Sequence, residues 1–362
     1  MTQAQNAMNS AGGRRGASRR VLLSSMMVRD STGDRHGGDV NWRGLWVVVW
    51  GCLAAGSAHA QGWKPTRPVA FVTPSSPAGS LDLTARSIQK VWDDARTVGV
   101  PVVVINKPGA GNGIAWGYMN DRGDGHAISI GNTNLVSNAV TGAHPYTHRD
   151  VTPLAMLFDD YFVLVVRADS PLKSMADVRQ RLRADAGALA VGFGPGVGAG
   201  SHTAAAVAWK GMGIDVRKSR FVPYKSAGDG VVAMLAGEVE IICGTAVNMP
   251  PYLASGRVRA LGVIGPQRLS GVLASIPTLK EQGMDAVFTN WRGVVGAKGM
   301  TREQVAFWEN ALSVVNESGA WKKELERNFW RANFMTGPKL REFLDMEAVR
   351  FRALLTELGL NK

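Results

Sequence analysis

Short β-branched runs alternate with amphipathic helical stretches along almost the whole chain, and this alternation limits the fold more than any other feature. Residues 69–73, 102–106 and 127–130 read as strands, separated by helical stretches at 81–95 and 114–120. A second series follows, with strands at 162–166, 190–193, 220–224 and 239–243 and helices at 175–184, 202–212 and 228–236. The rest reads as a strand at 258–264, a helix at 278–282, a strand at 291–296 and two long helices at 301–316 and 339–358. Such a chain buries parallel strands between helices on both faces, so the fold class is α/β. Thr301 followed by Gln304 has capping-box spacing, and Pro338 marks the start of the last helix. A length of 362 residues, with one βαβαβ plan occurring twice, points to two lobes.

The first sixty residues stand apart. An apolar run at 45–56 follows Arg43 and precedes Ala58-His59-Ala60, the layout of a secretory signal peptide cleaved after Ala60. The run is too short for a permanent membrane span. Arg19-Arg20 resembles a twin-arginine signal, but its apolar run arrives some twenty residues late. Val49-Trp50-Gly51-Cys52 resembles a lipoprotein box with a bulky Trp50 where a small residue is wanted. The first forty residues, rich in Arg, Ser and Gly without periodicity, read as a start codon assigned too far upstream. This leader holds seven Arg and three Asp, so its removal takes the formal charge from +12 to +8. A positive surface concentrates anions, although basic exported proteins are common. The absence of basic stretches interleaved with aromatics argues against nucleic acid as a partner. Cys243 is the one cysteine beyond the leader, so no internal disulfide is expected, and its apolar surroundings read as a buried strand.

Ligands of open α/β sheets bind beyond the carboxyl ends of the strands, where loops enter helix N-termini. Two loops occupy such places, residues 74–82 after the first strand and 193–202 after the corresponding strand of the second series. Each puts small residues, amides and hydroxyls before a helix whose first N–H groups lack partners, an arrangement that attracts an anion. Taken singly, Ser80 and Ser201 are equally well read as plain N-caps and the glycines as turn formers. Their equivalent positions favour a clamp for a di- or tricarboxylate, one carboxylate per lobe.

Other chemistries lack their parts. Gly194, Gly196 and Gly198 have no acidic residue at the end of the next strand, where Val222-Pro223-Tyr224-Lys225 stands, so a dinucleotide fingerprint fails. His126, His144, His148 and His202 have no companions at metal-ligand spacing, so neither metal nor cofactor is expected. Asp159-Asp160 reads as a solvated turn, since adjacent carboxylates point apart. Ser201-His202 lacks the elbow of a hydrolase. No catalytic residue is assigned, and an enzyme is not expected.

The motifs, in order, resemble those of the solute-binding proteins of tripartite tricarboxylate transporters, also called Bug receptors, over nearly all of the chain beyond the leader. The family's P-x-x-P-G-G-x-x-D is similar to Pro74–Asp82, with Ala78-Gly79-Ser80 replacing the glycine pair, and N-x-P-G-A-G-G to the stretch starting at Asn106. D-G-Y-T is similar to Asp124-Gly125-His126-Ala127, V-P-Y-K-G to Val222-Pro223-Tyr224-Lys225-Ser226, and L-x-G-x-V-D to the stretch at 235–240. P-T-x-x-E-x-G starts at Pro277, and Trp291-Arg292-Gly293 matches a W-R-G variant. The resemblance implies a type II periplasmic-binding-protein fold, its two lobes with parallel-rich sheets joined by two crossover strands. It divides the chain into a leader at 1–60, a first lobe of 61–165 plus 287–362, and a second lobe of 166–286.

By that similarity Ser76, Ala78, Gly79, Ser80 and Asp82 face the cleft from one side, and Gly198, Ala199, Gly200, Ser201 and His202 from the other. Asn132, Thr133, Asn134 and Tyr224 are further candidates. Arg292 is either a fork for an additional carboxylate or a surface strand residue. The implied protein is a periplasmic receptor that passes a small carboxylate to the membrane permease subunits of a tripartite transporter. A sensor that presents its closed form to a signalling partner is the alternative.

Overall fold

Strand β1 (Val69–Thr73) is apolar but for its final threonine and nearly all buried, as a central parallel strand requires. The computed structural model describes residues 62–194 and 196–361, which places the leader and its expected cleavage site after Ala60 outside the described residues. After β1 come α1 (Ser80–Ala95), β2 (Val102–Asn106), α2 (Gly113–Asn120), β3 (Ala127–Asn132), α3 (Asn134–Thr141) and β4 (Val151–Asp160). The chain then crosses into β5 (Phe162–Arg167), α4 (Met175–Ala184), β6 (Ala190–Phe193), α5 (Gly200–Gly211), β7 (Arg220–Pro223), α6 (Ala227–Ala236) and β8 (Ile241–Thr245). It continues through α7 (Pro250–Ala254) and β9 (Val258–Ile264). It returns in β10 (Asn290–Ala297) and ends with α8 (Arg302–Glu317), α9 (Gly319–Arg327), β11 (Arg331–Met335) and α10 (Gly337–Glu357).

The described residues form two sheets, in the orders β11-β4-β10-β3-β1-β2 and β7-β6-β8-β5-β9. Each holds three parallel strands, with the first of the three in the middle, followed by antiparallel neighbours. The two lobes therefore share one plan, and the carboxyl ends of all six parallel strands lead into the loops described below.

Tyr161 alone separates β4 from β5, so the chain passes between sheets in nearly continuous extended form. Residues 162–165, assigned from the sequence to the first lobe, pair with β8 and β9 in the second sheet. The C-terminal helix also exceeds its assigned lobe. Its Phe351 meets Phe288 edge-to-face at 5.8 Å, and Glu357 accepts from Lys210 of α5 at 2.6 Å.

Two expectations need correction. Asp159-Asp160 is no solvated turn: it ends the ten-residue strand β4, and both side chains are buried. Asp159 accepts from the amide of Asn333 at 3.2 Å, and Asp160 pairs with Arg292. The helix expected at 278–282 is a single turn. Thr278 and Glu281 do exchange capping bonds, but Gly283 at φ +75° ends the coil at once. The capping box expected at Thr301 forms with Gln304 and starts α8.

Candidate functional site

The loops at the carboxyl ends of the parallel strands enclose one cavity of about 430 Å³. Its first wall comes from the β1–α1 loop (Pro74, Ser75, Ser76, Gly79, Ser80), the β2–α2 loop from Pro108 to Asn112, Asn132 and Asn134 around the end of β3, and Asn290 and Arg292 of β10. The facing wall comes from Phe162, Gly194, Ala199, Gly200 and Ser201, from Lys225, Ser226 and Ala227, and from Thr245 and Asn248 after β8. Arg292 and Lys225 are the only charged side chains among the described residues lining it.

The helices that open onto the cavity are capped differently from one another. Helix α6 starts at the cavity-lining Ser226, whose hydroxyl takes a first-turn N–H, as those of Ser174, Thr301 and Ser318 do for α4, α8 and α9. Helices α1 and α5, which open onto the cavity, start at Gly79 and Ala199 and have no side-chain cap. Among the described residues, the N–H groups of Ser80, Leu81, Gly200 and Ser201 have no protein acceptor. These donors and their helix dipoles make each terminus a seat for negative charge, worth roughly 0.3–1 kcal/mol apiece and up to ~2 kcal/mol where partly buried.

The first seat has a third component. Arg292 is 4% exposed, and its Nη2 lies 3.3 Å from Asp160 Oδ2 and 3.5 Å from Ser80 Oγ. Among the described residues its Nε and Nη1 have no hydrogen-bond partner, and neither is sealed from solvent. Arg292 is thus a buried guanidinium with part of its fork open to the cavity, and not a surface strand residue. Burial pushes the Asp160 carboxyl up to about 6 despite the pull of Arg292.

Nine of the residues singled out from the sequence line the cavity: Ser76, Gly79, Ser80, Asn132, Asn134, Ala199, Gly200, Ser201 and Arg292. Six do not, and most of these brace the walls. The Asp82 carboxylate is saturated by Ala78 N–H, Arg86 Nε and Asn106 Nδ2, each at 2.9 Å. Burial opposes its ionisation, but these donors outweigh that and hold its pKa below the usual range. Ala78 contributes that N–H from a backbone at φ +63°. Thr133 donates to Asn290 Oδ1 at 3.0 Å and so orients a lining amide.

Gly198 donates its N–H to His202 Nδ1 at 3.0 Å. The His202 ring stacks on Phe193 with centroids 4.4 Å apart. Burial drives His202 down to about 4, so it stays neutral and serves as an acceptor. Tyr224 donates its N–H to Phe193 O and packs its ring against Gly192. Sequence reasoning placed Ser75 in the first loop without naming it as a site residue, and it missed Phe162, Ser226, Thr245, Asn248, Asn290 and the glycine loop at 108–112. The strand-loop-helix rule that found the first two loops also applies after β2, β7 and β8, and would have found most of these.

The comparisons with known proteins agree on one relationship. A family model described as tripartite tricarboxylate transporter family receptor matches residues 85–360. A UPF0065 protein from the gbd 5′ region of Cupriavidus necator is 29% identical over 319 residues, covering 86% of this chain and 93% of that protein. MatC from Rhodopseudomonas palustris, solved with bound malate, superposes with a TM-score of 0.68 at 24% identity, covering 80% of this chain and 99% of that one. A second R. palustris protein, solved with adipate, gives a TM-score of 0.73 at 22% identity, covering 82% and 98%. Two lobes of one plan, a cavity between their strand ends and a family match over most of the chain lead to one conclusion: the chain belongs to the tripartite tricarboxylate transporter receptor family.

Proposed function

We propose that this chain is a periplasmic receptor that binds a small dicarboxylate between its lobes and delivers it to the permease subunits of a tripartite transporter, without chemical change to the ligand. The observation that carries the reading is the convergence of two uncapped helix N-termini, one from each lobe, and the open fork of Arg292 on a cavity lined by no acidic side chain among the described residues. A carboxylate at Ser80, Leu81 and Arg292 would receive charge-assisted hydrogen bonds, and a second at Gly200 and Ser201 would close the span between lobes. Malate and adipate in the related structures are both dicarboxylates. Export through the segment ending at Ala60 supplies the compartment in which such a receptor works.

A thermal-shift series with succinate, malate, adipate, citrate and glutamate tests the reading. A ligand at about 100 times its Kd adds roughly 2.7 kcal/mol to the folded state. One or more dicarboxylates should raise the melting temperature, and Arg292→Met should abolish most of the shift. Indifference to every carboxylate in a sample shown to be free of bound ligand would refute it.

A further inference from the structure

The first wall of the cavity carries four asparagines, Asn112, Asn132, Asn134 and Asn290, each more than nine-tenths buried. Chemistry fixes the orientation of two of these amides. Asn134 N–H can only donate, and it donates to Asn132 at 3.1 Å, so that atom is Oδ1. Asn112 bonds the same oxygen at 3.0 Å and must therefore present its Nδ2. Asn112 Oδ1 is left as an acceptor and Asn132 Nδ2 as a donor, neither with a partner among the described residues. Among the described residues the side chain of Asn134 has no partner, and Asn290 Nδ2 has none beyond the bond that its Oδ1 accepts from Thr133. None of these atoms is sealed away from solvent, so they open into the cavity they line.

Carboxylates only accept, so a bare dicarboxylate would leave Asn112 Oδ1 unmet in a site it had emptied of water. We infer that the ligand carries a hydroxyl group between its two carboxylates, placed against the Asn112–Asn132–Asn134 amides. A hydroxyl donates to Asn112 Oδ1 and accepts from Asn134 Nδ2, with Asn132 Nδ2 beside it. An ammonium at the same place would meet Asn132 Nδ2 as donor against donor. It would also lack a counter-charge, since no acidic side chain among the described residues lines the cavity and the nearby Asp82 and Asp160 carboxylates are committed to Arg86 and Arg292.

The inference rests on the dicarboxylate reading above, and its test separates the two. Isothermal titration of the full chain would use sets matched in length: malate, succinate and aspartate; then 2-hydroxyglutarate, glutarate and glutamate; then 2-hydroxyadipate, adipate and 2-aminoadipate. At whichever length binds, the hydroxylated member should be about tenfold tighter than the bare one, the worth of one well-made buried hydrogen bond, and the amino member weakest. Asn134→Ala removes a side chain that has no partner among the described residues and keeps the backbone bond to Asn132. It should reduce the hydroxyl preference several-fold, read as the ratio of the Kd values for the bare and the hydroxylated diacid measured in the same variant. Equal binding of hydroxylated and bare diacids, tighter binding of the amino diacid, or an Asn134→Ala variant with its preference intact would each overturn the hydroxyl assignment and spare the dicarboxylate reading. Failure of all nine ligands would overturn both.

Discussion

Gly198 and Gly196 form a matched pair that isolates the energetic role of lobe contact. Both glycines adopt left-handed backbone, at φ +81° and φ +84°. A Cβ built on Gly196 meets nothing within 4 Å, whereas one on Gly198 lies 2.7 Å from Thr141 Cγ2, which ends α3 in the other lobe. Alanine at either position costs roughly 1–2 kcal/mol of backbone strain. Only Gly198→Ala adds an overlap between lobes, about 0.7 Å inside the 3.4 Å onset of ordinary contact.

Overpacking of this kind costs on the order of 1–3 kcal/mol, and opening the lobes relieves it. Ligand affinity depends on the closed form, so Gly198→Ala should weaken binding by about 5- to 150-fold. Gly196→Ala should lower stability by a similar strain and leave Kd unchanged. Isothermal titration beside denaturant melts measures both quantities. Adding Thr141→Ala to Gly198→Ala should recover most of the affinity. Equal Kd losses for the two alanines, or no recovery in the double variant, would refute the reasoning.

Other perturbations probe the buried charges and the loop backbone. Arg292→Met should weaken dicarboxylate binding by roughly 2–5 kcal/mol and destabilise the empty protein by about 3 kcal/mol at pH 7.5, through an unpaired Asp160; the stability loss, read from denaturant melts, should shrink at pH 5 as Asp160 takes up a proton. Asp160 has its pKa raised from 3.8 to about 6, so its stabilisation is complete below 3.8 and lost as pH rises through 6, a span of about 3 kcal/mol. Asp160→Asn should remove that pH-dependent difference when melts at pH 4.5 and 7.5 are compared with wild type. Ala78→Gly relieves a left-handed alanine at φ +63° and should raise the denaturation free energy by up to ~1 kcal/mol, with hydroxy-dicarboxylate affinity within twofold of wild type.

The sequence made the loops after β1 and β6 legible because their physics is local. A β-branched strand, a few small residues and an amphipathic helix lie consecutively in the chain, and the unpaired N–H groups follow from helix geometry. Strand β4 was illegible for the opposite reason. Pro153 and the Asp159-Asp160 pair break a strand pattern when read alone, and the partners that make these carboxylates tolerable are distant: Arg292 lies 132 residues further on and Asn333 lies 174. The single turn at Thr278 shows a local signal that is correct and still insufficient. Its capping bonds form, but with Gly283 in left-handed backbone no second turn follows to bury.

Asp82 and His202 show how residues outside the cavity act on it. Each accepts a hydrogen bond from the backbone N–H of the residue just before the N-cap of its own helix, Ala78 for Asp82 and Gly198 for His202. The loops are thereby held with their free amides already aimed, so the ligand does not bear the cost of ordering them. This bracing has a titration of its own. His202 is held down to about 4, so its contribution is present above 6.5 and lost as pH falls through 4, about 3 kcal/mol in the opposite sense to Asp160. Between pH 6.5 and 4 the two nearly cancel in total stability but act on opposite walls: acid stabilises the Arg292 wall and loosens the Gly198 loop. Once Asp160→Asn removes one side of that balance, the His202 side should stand alone, and the variant should lose stability with acid more steeply than wild type.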